Sequence, residues 1–198
     1  HRNFSIMVLL PSMAAAFTAT IISRAIFGRA TIFDLPDLQL LPISYYGIVI
    51  LVALASGLAG VIFNWGLLNI GRFYSLPYFK RPVQKIAFAL ICAGILGYFL
   101  PEVLGGGNDL INHLAKAPVS LQLLLLFLAG KLIFTLISYG CGVPGGFFLP
   151  MLVIGALCGS ICAQILIMLG WIEPAYATNI MVVAMAALFA SSVRAPIT

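Results

Sequence analysis

The sequence predicts an all-α, polytopic membrane protein, and three observations carry that prediction. Hydrophobic residues make up 63% of the 198-residue chain and charged residues only 8%, against about a quarter charged in a soluble domain. Mean hydropathy is +1.16. The apolar residues run continuously, over stretches long enough to cross a bilayer, instead of alternating as in a transmembrane barrel strand. Such a chain cannot cover its surface with polar groups, and in hydrocarbon only helices and closed barrels satisfy every backbone group.

Six apolar segments follow in order. The first runs from about Phe4 to Ile26 and the second from about Ser44 to Tyr74. About 20 residues cross a bilayer, so the second must tilt strongly or project beyond it. The third covers Pro82 to Leu100, the fourth Val119 to Tyr139, the fifth Phe147 to Leu169 and the sixth Thr178 to Ser192. The sixth is short for a full crossing, and a further short helix fits Asp109 to Lys116. No linker or water-soluble module interrupts the series, so residues 1–198 are expected to form part of a single transmembrane domain. Both ends look like cuts in a longer membrane protein.

The connections hold the charge. RATIFDLPDLQLLP mixes Arg29 with Asp34 and Asp37, whereas GRFYSLPYFKRPVQK carries Arg72, Lys80, Arg81 and Lys85 and no acid. By the positive-inside rule the second is the best cytoplasmic loop in the chain. The net charge of +5 reflects such loops. No aromatic-basic surface accompanies it, so a nucleic acid partner is not expected.

Two stretches break the apolar pattern with irregular backbone: GGGND at Gly105 to Asp109, and GCGVPGGFFLP at Gly140 to Pro150. At membrane depth such backbone is tolerated only where it is buried in protein or lines a wet cavity. Gly145 and Gly146 permit close approach and positive φ. Pro150 suits the first turn of a helix, where its missing N–H would have no partner. A helix starting near Phe147 would leave its first N–H groups free and concentrate about half a positive charge there. That end is suited to an anion. No Lys or Arg lies in GVPGGFFLP, so partial charges alone would replace the hydration shell, strong enough to admit an ion and weak enough to release it. The residues also allow a plainer reading. Gly155 and Gly159 form a small-xxx-small packing pair, and a Gly-Pro break also serves as an ordinary loop.

GGFFLP followed by an apolar helix resembles the G-x-F-x-P signature of the CLC chloride channels and proton/chloride exchangers, matched at Gly146, Phe148 and Pro150. GGGNDLI at Gly105 to Ile111 resembles the glycine-rich turn of that family ahead of a short helix. Lys131 falls where the family often has a basic residue. SSVRAPIT at Ser191 to Thr198 resembles the stretch leading into a later helix. Order and spacing agree along essentially the whole chain.

The resemblance implies a fold of two inverted-topology halves with tilted and partial helices, assembled as a homodimer with one pathway per subunit. It implies chloride as the transported ligand, bound by the backbone N–H groups of Phe147 and Phe148 within the selectivity motif of Gly145, Gly146 and Pro150. Protons are a second partner if the protein is an exchanger. The lack of insertions suggests a compact prokaryotic member in a cytoplasmic (inner) membrane. The family's G-S-G-I-P motif and its G-[KR]-E-G-P motif with the gating glutamate are absent, and both belong upstream of His1. The chloride-coordinating tyrosine belongs downstream of Thr198. This chain therefore carries one wall of the pathway, and channel and exchanger stay open. A structural or dimerisation segment, or another secondary transporter, is the alternative.

Other residues are weighed on their contexts. Lys131, an ionisable group at apparent membrane depth, would raise the potential along an anion path, or snorkel, or satisfy a carbonyl at a helix end. Glu102 and Asp109 flank the glycine turn and suit capping or solvent. His113 suits an interface, with a proton relay as the alternative. Asp34, Asp37 and Glu173 sit near Pro36 and Pro174 in turn-like contexts. Arg194 suits docking of a helix end. Trp65, Trp171 and the tyrosines suit interfacial anchoring. Cys92, Cys141, Cys158 and Cys162 have no metal spacing and fit as small packing residues. With His1 and His113 the only histidines, and no HExxH or paired carboxylates, no enzyme, metal or cofactor is expected.

Overall fold

The computed structural model describes residues 6–28, 33, 35, 38–117 and 119–193. Asp34, Asp37 and Arg194 lie outside the described residues. The described residues form α-helices and short 3₁₀ turns, with no strand among them. Chain contacts divide the protein into two units, residues 1–32 and 33–198.

The first unit is the helix α1, Ile6–Phe27. It carries Pro11 inside its first three turns, and the hydroxyls of Thr18 and Thr20 donate back to the carbonyls of Ala14 and Ala16, each at 2.8 Å. These bonds occupy the hydroxyls internally, as an apolar solvent requires.

The second unit holds the remaining helices: α2 (Tyr46–Phe73), α3 (Pro82–Phe99), α4 (Asn108–Lys116), α5 (Leu121–Gly140), α6 (Phe148–Met168) and α7 (Ala177–Val193). A 3₁₀ turn at Ile43–Tyr45 extends α2 into a 31-residue apolar span. At about 1.5 Å per residue that is longer than a bilayer's hydrocarbon core. The sixth apolar segment is a 17-residue helix, α7. The short helix expected after the glycine turn is α4, begun by Gly107 in the left-handed region (φ 88°).

The antiparallel pair α6–α7 forms the centre of this unit, with α2 against α7 and α5 against α6. Their connection is tight. Trp171 N–H donates to Leu166 O and Gly170 N–H to Ile167 O, both at 3.0 Å, with Gly170 at φ 70°. This is the glycine-terminated helix end that satisfies the last carbonyls. Gly155 and Gly159 face α7 so closely that a Cβ on either would lie 2.7 Å from Met185 Cα or 2.6 Å from Met181 Cα. The packing reading of these two glycines holds. Most of the large apolar residues of α2 and α3 point outward, among them Leu54, Leu58, Leu68, Leu90 and Ile91. Outward apolar faces are what lipid-facing helices present.

Candidate anion site

The depth of the GVPGGFFLP stretch follows from its neighbours. Met151 and Ile154, in the first two turns of α6, pack with Phe63 of α2 and Leu188 of α7, and Phe147 and Phe189 join the same cluster. Phe63 lies ten residues before the end of α2 at Phe73, or about 15 Å of helix. So α6 begins alongside the interior of the long apolar span, not beyond its end. α7 finishes at the same level, where Ser192 Oγ donates to Gly60 O at 3.5 Å. The start of α6 and the end of α7 thus lie together beside the interior of α2.

The start of α6 differs by one residue from the sequence expectation. Phe147 is the cap, at φ −108° and ψ 1°, and Phe148 is the first helical residue. Phe147 O accepts from Met151 N–H at 3.0 Å. Pro150 is then the third residue of the helix, where its missing N–H removes one of the groups that would have had no partner. The N–H groups of Phe147, Phe148 and Leu149 have no acceptor among the described residues. Leu149 was not singled out from sequence. Only the helix register shows that its amide belongs to the same turn.

The positive φ expected at Gly145 and Gly146 is not adopted. It falls at Gly142 (φ 83°), which follows the last residues of α5 and turns the chain out of that helix. Termination of α5 needs one left-handed residue, and glycine takes it without a Cβ clash. Gly146 has nothing within 4 Å of where a Cβ would stand, and Gly145 has only Val143 O at 3.9 Å. The space beside them is open cavity.

That cavity has a volume of about 380 Å³ and is lined by both irregular stretches: Gly105 and Gly106 on one side, Val143–Phe147, Leu149 and Pro150 on the other. Sequence separates the two by some forty residues, and the fold makes them facing walls. Lys131 lines the cavity between them, with Thr135 and Tyr139 of the same helix. None of the described acidic residues, Glu102, Asp109 and Glu173, does.

Lys131 is fully buried. Its Nζ donates to Val103 O at 2.8 Å and Gly105 O at 2.9 Å. Of the roles considered for it, satisfying carbonyls at a helix end is the one these bonds perform, because Val103 closes the 3₁₀ turn Pro101–Val103 and Gly105 follows it. Among the described residues the ammonium charge has no carboxylate partner. The two phenylalanine rings are held edge-on, Phe147 against Tyr139 at 5.7 Å and Phe148 against Phe189 at 5.4 Å between ring centroids. They pin the helix start from α5 and from α7. Chemically the cavity offers free N–H groups, a helix N-terminus and one buried cation, a set that suits an anion.

His113 lies elsewhere. With Glu102 and Asp109 it lines a separate cavity of about 470 Å³ between the glycine turn and α4. All four cysteines are free thiols. Among the described residues no cluster of three His, Cys, Asp or Glu is placed to hold a metal.

Known proteins are similar to this chain in sequence and fold. The H(+)/Cl(-) exchange transporter ClcA of Vibrio campbellii is 31% identical over 203 residues, covering 99% of this chain and 42% of that protein. ClcA of Salmonella agona is 33% identical over 200 residues, covering 96% of this chain and 41% of that protein. The chain thus spans about two fifths of the length of these relatives. The crystal structure of a slow cyanobacterial Cl-/H+ antiporter superposes with a TM-score of 0.77 at 27% identity, over 90% of this chain and 42% of that one. The profile of the family described as "Voltage gated chloride channel" matches residues 1–198, and the chain belongs to that family.

Proposed function

We propose that this chain forms part of a chloride transporter and supplies one wall of its ion pathway. The observation that carries the reading is the start of α6. Three N–H groups, those of Phe147, Phe148 and Leu149, have no acceptor among the described residues, and Phe147 and Leu149 line a cavity that holds Lys131 and no described acid. Chloride would be bound by the amides of Phe147 and Phe148, joined by that of Leu149. Gly145 and Gly146 leave room for its approach, and Pro150 keeps a further donor out of the turn. Partial charges at a helix N-terminus offset lost hydration without a tight ion pair. Lys131 adds a full charge whose donors are mostly engaged, so it acts through its field more than by direct ligation.

Proton-coupled exchange is the mode favoured over a channel, because ClcA of Vibrio campbellii and of Salmonella agona are H(+)/Cl(-) exchange transporters. The family match over all 198 residues supports reading both units as parts of one transmembrane domain. The family resemblance extends the proposal to a homodimer in a prokaryotic inner membrane that carries chloride and protons.

The test is a backbone substitution. Replacing Phe148 by its α-hydroxy acid in the full-length protein swaps the amide N–H of Phe148 for an ester oxygen and leaves the ring. Chloride affinity should fall about tenfold, as expected for loss of one hydrogen bond to a charged group. Chloride binding and liposome efflux unchanged by the ester would refute the assignment.

A further inference from the structure

Between α2 and α3 the chain builds a rigid basic platform. The rings of Phe73, Tyr74, Phe79 and Phe88 interlock with centroids 5.0–6.4 Å apart. Ser75 N–H donates to Arg72 O and Leu76 N–H to Phe73 O, each at 3.3 Å, and Phe79 N–H donates to Leu76 O at 3.0 Å. Arg81 N–H is taken by Gln84 Oε1 at 3.0 Å. Tyr74, almost wholly buried, donates its hydroxyl to Ile137 O at 2.9 Å and ties the platform to the end of α5. The loop is therefore preorganised.

On this frame stand Arg72, Lys80 and Arg81, all exposed, with Lys85 Nζ 6.0 Å from the centre of the Tyr74 ring. None of the four makes an ion pair with another described residue. The nearest acid along the chain is Glu102, beyond the far end of α3. Glu173 also belongs to the opposite end, where the neighbouring Tyr176 packs on Tyr45 at the start of α2. The charge is concentrated at one end of the bundle. Interleaved with it are apolar side chains turned outward: Tyr78 is 81% exposed, Val83 73% and Leu76 45%.

We propose that this platform is a binding site for the phosphodiester headgroups of anionic phospholipids. Fixed cations answer the phosphate, and Tyr78, Leu76 and Val83 enter the headgroup boundary between them. An acidic protein surface or free phosphate would use the cations and leave these apolar groups in water. The platform closes one helix that crosses the apolar layer and opens another, which sets it at headgroup level. The proposal stands independently of the transport reading.

The test is a lysine footprint on the full-length protein in nanodiscs of phosphatidylcholine, with and without phosphatidylglycerol. An acylating reagent modifies accessible amines, and mass spectrometry follows Lys80 relative to Lys116, which lies toward the opposite end of the bundle. Phosphatidylglycerol is expected to slow Lys80 at least about fivefold relative to Lys116, and 0.5 M salt to abolish the protection. The double variant Arg72→Gln/Arg81→Gln should need about 25-fold more phosphatidylglycerol for the same protection, at about fivefold per basic residue. Equal Lys80 reactivity in both bilayers would overturn the proposal. So would protection already complete in phosphatidylcholine, which means protein covers the site, or protection reproduced by inorganic phosphate alone.

Discussion

Substitution of Gly159 by Ala probes the contact on which the candidate site depends. The added Cβ would lie 2.6 Å from Met181 Cα, 2.8 Å from Ala184 Cβ and 3.1 Å from Met181 O. Two of these three are backbone atoms of α7, so no side-chain rotation relieves them. Carbon atoms settle at about 3.5–4.0 Å. α6 and α7 must therefore part by about 1 Å at this crossing, and the most extensive helix pair in the protein loosens. Overpacking of a well-packed contact costs roughly 1–3 kcal/mol, and at about 2–4 °C per kcal/mol for a chain of this size the melting temperature falls by about 2–12 °C. Gly94→Ala is the control. Nothing lies within 4 Å of its Cβ position, and it sits inside α3, so helix propensity makes that change neutral or stabilising by about 0.5–1 kcal/mol. The assay is thermal unfolding in detergent followed by circular dichroism, with both variants beside wild type. Because Phe148 leans on Phe189 of α7, any chloride-dependent gain in melting temperature of the full-length protein is expected to shrink in Gly159→Ala as well. Equal melting temperatures for Gly159→Ala and Gly94→Ala would refute the close-packing argument.

Lys131→Met should strand Val103 O and Gly105 O, at about 1–3 kcal/mol for each buried carbonyl. It should also weaken chloride binding, and thermal unfolding with and without halide separates the two effects. Gly107→Ala forces a side chain into φ 88° and within 2.6 Å of Val153 Cγ2. Loss of α4 should follow, read by amide hydrogen exchange over Asn108–Lys116. Burial, with smaller contributions from Cys141 and Cys92, pushes the Tyr74 phenol up to about 12. An unfolded chain ionises near 10, so the folded form keeps its proton longer. Its stabilising effect is complete below pH 10 and is lost as the pH rises from 10 to 12. Tyr74→Phe should be less stable than wild type at neutral pH, by about 1 kcal/mol for the lost bond to Ile137 O. It should also lack the Tyr74 share of the alkaline decline, measured by chemical unfolding across that window.

Much of the fold was legible in the sequence because bilayer physics leaves few choices. A continuous apolar run must be a helix, and each of the six was bounded within about two residues by Gly, Pro or charge. The Gly155–Gly159 pair announced a close contact but not its partner. The glycine turn and the signature stretch announced irregular backbone, not their juxtaposition. Lys131 left several roles open, since a lysine in an apolar segment looks the same whether it faces an ion, a carbonyl or the interface. Gly145 and Gly146 misled: adjacent glycines suggested positive φ, whereas the left-handed residue was needed at Gly142 to end α5.

By itself the sequence determined the solvent, the helical class, the positions of the breaks and the family to which their motifs point. These follow from local properties, hydropathy and backbone permissiveness, which are written residue by residue. Tertiary structure alone decided that α6 begins inside the apolar layer, that Leu149 shares its free amides, that Lys131 is held by Val103 and Gly105, and that two distant glycine stretches enclose one cavity. Each of those depends on which helix faces which, and that is set by the fit of facing surfaces across the bundle, a property no single segment carries.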